Sequence, residues 1–410
     1  MKNILQQFST EEELVKKHKP EEFRSPYKVN NHLHTPYSFS AFENISQIFQ
    51  MAKEEDISVL GINDFYTTAG YDEFHQLAGE HKIMPLFNIE FIGLLRDFQD
   101  KNMRVNDPKN PGRAYFTGKG LTYPVSMSDQ NAGLLNRVKA HSEEQLKKMV
   151  VLVNDFFGEL SLPVKLDFDE LKQHYAREML RERHIATAIQ DKLSQASASD
   201  EEMKSMLTKM FEGKEVQADM TDKPAVQNEI RNNLLKKGGK AFVPEDENAF
   251  LNLEQIKDII IDAGGIPCYP VLLDNEKGEF TDFEGDWEAM YDYLREFNVG
   301  CIELIPGRNS FEVLNDFVKF FNERNFIVTF GTEHNTPALK PLTVTCRNDV
   351  PLGDELENVN FEGAAVIAAH QYKKVKGQEG FLSANHEPKP EEKEDFVHLG
   401  KAVINEFLSK

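Results

Sequence analysis

The chain has 410 residues, 40% apolar and 10% aromatic, enough for a sizeable core built as an α/β barrel with insertions or as two or three domains. Its net charge of −21 argues against binding a phosphate backbone through charge alone. No run approaches the roughly 20 apolar residues of a membrane span, so neither nucleic acid nor membrane is an expected partner. Cys268, Cys301 and Cys346 are scattered, and the first residues form no long apolar region, which together suggest a cytoplasmic location.

Residues 1–27 read as a charged helical extension, with Thr10 and Glu11-Glu12-Glu13 suited to a helix start. Three short apolar runs follow, each succeeded by polar residues with metal-ligand chemistry. Val29-Asn30-Asn31 leads to His32-Leu33-His34, Ile57 to Ile62 leads to Asn63-Asp64, and Ile83 to Ile89 leads to Glu90. Runs of this kind separated by helix-like segments suggest parallel strands with crossover helices, whose following loops gather at one end. Two imidazoles and two carboxylates delivered there suit Zn²⁺, Mn²⁺ or Fe²⁺. Taken singly, Asp64 also fits a helix N-cap and Glu90 a surface position; the repetition is what points to a metal centre.

These residues carry a family resemblance. His32-Leu33-His34-Thr35 with Tyr37-Ser38, Gly61-Ile62-Asn63-Asp64-Phe65 with Ala69-Gly70 and Glu73-Phe74, and Asn88-Ile89-Glu90 resemble the PHP (polymerase and histidinol phosphatase) family. The resemblance implies an α/β fold, a distorted (β/α)7 TIM-like barrel, and a metal-dependent phosphoesterase.

Residues 107–120 are turn-rich, and residues 96–119 carry a local charge of +3. They read first as a solvated surface loop and alternatively as a basic loop, including Arg113, that closes on an anionic substrate. Helical patterns follow at Ser142–Gly158, Phe168–Asp191, Asp200–Phe211 and Ala225–Lys237, giving an inserted helical subdomain. Within it, Arg181-Glu182-Arg183-His184 is similar to an Arg/His-bearing helix that PHP phosphoesterases present to the substrate phosphate, which makes Arg183 and His184 candidate substrate ligands. An ordinary surface helix is the alternative. The barrel is expected to resume at Gly239–Pro244 and to continue through Ile266–Pro270, Gly300–Pro306 and Phe326–Asn335. The expected organisation is thus an extension (1–27), a barrel (28–95 and 239–340), an insertion (96–238) and a C-terminal extension (341–410).

The family pattern is broken at three places. Its Thr-Asp-His is here Asn63-Asp64-Phe65, its Ala-His-Pro is Cys268-Tyr269-Pro270, and its Asp-x-His is Glu333-His334-Asn335. The resemblance implies that one metal site survives, made by His32, His34, Glu90 and Glu333, while two others have lost imidazoles. One divalent metal (Zn, Mn or Fe) is therefore expected, with two as the alternative. Asp64, His334 and Tyr269 are the candidate catalytic residues, His334 as a general acid and Tyr269 as a hydroxyl at a strand end. Arg308 is a candidate fork for a phosphate. The function expected is hydrolysis of a small phosphorylated, anionic metabolite; the alternative is a degenerate member that binds a metal or metabolite as a sensor or structural partner. Oligomeric state has no signal in the sequence.

Overall fold

A computed structural model describes residues 3–19 and 26–410. Seven strands, β1 (Lys28–Leu33), β2 (Ile57–Phe65), β3 (Met84–Leu94), β4 (Arg113–Lys119), β5 (Ile266–Val271), β6 (Cys301–Leu304) and β7 (Ile327–Phe330), form one sheet in chain order. Neighbours are parallel except at β4, which runs antiparallel to both β3 and β5. The sheet curls until its ends meet. Leu33 bridges Glu333 just beyond β7, where the His34 N–H donates to the Glu333 carbonyl at 2.9 Å. The α/β fold is the distorted seven-stranded barrel expected.

Deeper along that seam a side chain joins the two strands. Asn360 donates to the Val29 carbonyl at 3.1 Å and accepts from the Phe330 N–H at 2.7 Å. It stands on the helix Gly353–Val375, which packs across β7 and β1 so closely that a Cβ at Gly363 would lie 2.0 Å from the Val328 carbonyl oxygen. The expected C-terminal extension, 341–410, is thus part of the barrel wall. Its last helix, Lys393–Ser409, packs on Gly353–Val375 and receives the N-terminal helix Glu11–His18, whose Lys17 and His18 reach Glu406 at 2.5 and 2.7 Å. That helix starts on the Thr10/Glu13 capping box its sequence implies. Met1, Lys2 and 20–25 of the expected extension lie outside the described residues.

Two further expectations change. The expected insertion, 96–238, contains β4, and Gly239–Pro244 is a turn segment rather than a returning strand. β4 was obscured because its inward residues, Thr117 and Lys119, are polar: they face a polar barrel interior. Ala241 is instead buried in the helical unit. The helix Asp129–Glu159 links the two cores, with Leu135 and Val138 against the barrel and Leu146 to Phe157 in the second cluster. The single helix expected over 168–191 breaks into Phe168–Tyr175 and Glu182–Ala196, because Met179 N–H donates to Tyr37 C=O at 2.8 Å and ties the break to the barrel. Among the described residues no helix is long and apolar enough to cross a membrane.

Candidate metal centre

A cavity of about 360 Å³ opens where the parallel strands end, with His32, Glu90, Glu303 and Glu333 at its base. Local backbone features place these groups. Between Asn30 and Leu33 the β1 strand carries one residue more than the facing Leu60–Ile62 segment, a bulge that turns both Asn31 and His32 inward. Asn31 is then held by Thr329 and Asn88, and His32 faces Glu303. Gly331 leaves the room this needs, since a Cβ there would lie 2.3 Å from the His32 Cβ. Glu90 does not follow a strand as expected: it sits within β3, pointing into the barrel. Glu333 and His334 both adopt positive φ, +70° and +58°, uncommon for residues with side chains and found where function constrains the chain.

The hydrogen bonds fix both histidine tautomers. Glu303 Oε2 lies 2.5 Å from Lys119 Nζ and 2.9 Å from His32 Nδ1. A carboxylate only accepts, so His32 carries its proton on Nδ1 and bears a lone pair on Nε2. Asn63, its Oδ1 turned to Lys119, sets its amide nitrogen 2.9 Å from that Nε2. Ser38 donates to Asp64 at 2.6 Å and so accepts from His34 Nδ1 at 3.2 Å, leaving His34 Nε2 a lone pair as well. The two Nε2 atoms face each other at 3.2 Å. Glu90 Oε2 completes the group, 3.0 Å from His34 Nε2 and 3.7 Å from His32 Nε2, and among the described residues it has no hydrogen-bond partner. A carboxylate of Glu333 lies with both imidazoles, all three ligand atoms within 4.8 Å of one another.

The His32 lone pair also faces the Asn63 amide, whereas the His34 lone pair and the buried Glu90 oxygen, 3.0 Å apart, repel unless a proton or a cation lies between them. The donor set, two imidazole nitrogens and two carboxylates, fits a borderline divalent ion. The electrostatics agree. Burial pushes the Glu90 carboxyl up to about 8, and burial lowers His34 to about 4. Burial also works to raise Glu303, but Lys119 and His32 outweigh it and hold that group far below the usual carboxylate range. Burial is likewise overcome at Glu333, by Arg308.

Arginines surround the mouth. Arg181 lies 4.5 Å over one face of Phe65, which stacks on His34 at 4.8 Å. Arg183 stands over Phe39 at 5.7 Å, its guanidinium lowered to about 10 by burial. Arg231, on the π-helical turn Arg231–Leu235, pairs with Glu182, and Arg308 pairs with Glu333. The helix break at 176–181 is what brings Arg181 and Arg183 to the cavity, at the start of Glu182–Ala196.

Of the residues singled out in the sequence, His32, Glu90, Glu333, Arg183 and Arg308 line the cavity and His34 meets them at its base. Five others do not line it. Tyr269 turns outward to Glu284 at 3.3 Å because alternate residues of β5 face opposite sides. His334 bonds Thr332 and the Lys340 carbonyl and stacks on Phe42, the successive left-handed residues sending its ring away from Glu333. Asp64 accepts from Thr35 and Ser38 and acts on the centre through Ser38 and His34. His184 accepts from the Arg181 N–H and packs on Phe39. Arg113 is held by Asp107 and Glu245. Sequence reasoning missed Lys119, Glu303, Asn63, Arg181 and Arg231. Asn63 and Arg181 stood inside motifs already singled out but were given no role, and Glu303 had a signal of its own, a charge inside the apolar run Cys301-Ile302-Glu303-Leu304.

Residues 30–212 match the family model described as the PHP domain. Over those residues the chain is similar to a PHP domain. Two solved structures resemble it at 16% identity each. One is an amidohydrolase from Chromobacterium violaceum with bound sulfate and no metal, at a TM-score of 0.50 over 81% of this chain and 96% of that one. The other, from Bifidobacterium adolescentis, is described as a candidate metal-dependent phosphoesterase, at a TM-score of 0.51 over 82% and 96%. No curated protein matches the chain. At the three positions where the PHP resemblance places further imidazoles, Phe65 is sandwiched between Arg181 and His34, Tyr269 faces outward, and Asn335 lines the cavity.

Proposed function

We propose that this protein is a metal-dependent hydrolase of small phosphomonoesters. The observation that carries the reading is the arrangement of one cavity: lone pairs of His32 and His34 and the unpartnered Glu90 oxygen at the floor, arginines at the rim. His32, His34, Glu90 and Glu333 would hold the ion. When bound, a divalent ion supplies Lewis acidity for a phosphoryl oxygen and makes water more acidic. The rest is work for the chain. Among the described residues Arg181 and Arg183 have no carboxylate partner, so two positive charges face the cavity, matching a phosphomonoester dianion. Phe39 and Phe65 hold those guanidiniums by their ring faces and keep water from one side of the cavity. The cavity is large enough for a metabolite-sized ester and is enclosed partly by the helical unit, which favours small substrates over polymers.

The test is phosphate release from a panel of phosphomonoesters, set beside carboxylic esters and amides, by metal-loaded protein. Turnover restricted to phosphomonoesters, with KM raised about 10-fold or more in Arg181→Ala or Arg183→Ala, is the expected result; charge-assisted hydrogen bonds contribute ~1.5–3 kcal/mol each. Turnover of uncharged esters or amides alone would contradict it. Metal binding without turnover of any of them would instead favour a sensor or structural role, to which the Arg308–Glu333 pair closing one metal ligand lends its specific support.

A further inference from the structure

The barrel floor already holds a cation. Lys119 is fully buried, with Nζ 2.5 Å from Glu303 Oε2 and 3.4 Å from both Asn63 Oδ1 and the Asn31 carbonyl oxygen. It reaches this place because β4 runs against the other strands. Its last residue, Lys119, pairs with Ile266, the first residue of β5, at the end of the barrel away from the cavity mouth. From there the four-carbon stem carries the ammonium toward the carboxylates.

The carboxylates around this floor are largely spoken for without a second ion. Lys119 pairs with Glu303 and Arg308 with Glu333, which leaves Glu90 with the two imidazoles for one divalent ion. A second divalent ion beside Lys119 would bring like charges together in the buried interior, a costly state away from water. It would also lack free ligands. Glu303, the carboxylate beyond His32, already accepts from Lys119, His32 and, through Oε1, Thr117 at 2.8 Å.

We propose that Lys119 serves as the second cation of this centre, limiting it to one divalent ion and, through Glu303, fixing the His32 tautomer that faces that ion. Lys119 and Glu303 are positioning residues: neither touches the ion or a substrate. The inference rests on the metal-dependent reading above but not on the substrate assigned there.

The experiment is equilibrium dialysis of chelator-treated full-length protein against Mn²⁺, with bound metal read by elemental analysis. The native protein is expected to saturate at one ion per chain, Lys119→Arg also at one, and Lys119→Gln at two. Two or more ions in the native protein would overturn the proposal by itself, so an unfolded variant cannot rescue it. A folded Lys119→Gln that stays at one ion with native affinity would overturn it too. No bound ion at all would remove both this inference and the metal-dependent reading. One bound ion without phosphomonoester turnover would leave the inference standing and remove only the substrate assignment.

Discussion

His32 and His34 are oriented by separate hydrogen-bond chains, Lys119–Glu303–His32 and Asp64–Ser38–His34. Groups that orient metal-binding imidazoles typically contribute about 10- to 100-fold to metal affinity. Ser38→Ala removes only the hydroxyl between Asp64 and His34. It is expected to weaken Mn²⁺ binding by about that factor while leaving the circular dichroism spectrum native, measured by competition with a chelator. Unchanged affinity would show that packing on Phe65 alone holds the ring. At this scale the sequence was informative where chemistry repeats: His32, His34 and Glu90 stand out because each follows or interrupts an apolar run. Lys119 did not stand out, since a lysine in a charged stretch reads as solvated, and only the reversed direction of β4 buries it. His334 and Tyr269 were misplaced for a geometric reason, as a one-residue step along a strand or tight turn moves a side chain to the other face.

Among the elements, the helix Gly353–Val375 has the clearest structural role. Asn360 satisfies a carbonyl of β1 and an N–H of β7 at a point where ladder pairing does not. Asn360→Ala leaves both groups buried without partners, each worth roughly 1–3 kcal/mol. A loss of ~2–6 kcal/mol is therefore expected in urea unfolding, with the m-value unchanged. A loss below ~0.5 kcal/mol would mean that β1 and β7 pair without the staple. That this stretch closes the barrel is not legible in the sequence, because Asn360 is a lone polar residue whose partners lie some 30 and 331 positions away. The helix break at 176–181 was equally hidden. Its cause, the Met179–Tyr37 backbone bond, is tertiary. The other strands were legible from β-branched runs; β4 and its direction were not.

Over the whole molecule, buried imidazoles tie stability to pH. His370 Nδ1 accepts from the Phe381 N–H at 2.9 Å and Nε2 lies 2.7 Å from the Gly264 carbonyl oxygen, so the fold requires the neutral ring. Burial lowers it to about 4, from an ordinary 6.5. Below pH 6.5 the unfolded chain takes up a proton that the folded protein refuses until about pH 4, so stability falls as pH drops through that window. The difference is worth ~3 kcal/mol at its acid end. His370→Gln should flatten this part of a stability–pH curve measured by chemical denaturation; a variant as acid-sensitive as the native protein would place the loss elsewhere. The barrel and the cavity at its mouth belong to the same scale, and there the sequence was a sound guide to architecture. Domain edges were not, since β4 and the helix Gly353–Val375 complete the barrel from outside the segments that its motifs mark.

The account depends most on a cation site between His32, His34 and Glu90. Electron paramagnetic resonance of free Mn²⁺, followed as chelator-treated protein is added, measures that directly. The native protein is expected to deplete the free signal and a His32→Ala, His34→Ala double variant to leave it intact, both with native circular dichroism. Equal depletion by the two proteins, or none by the native one, would contradict the account.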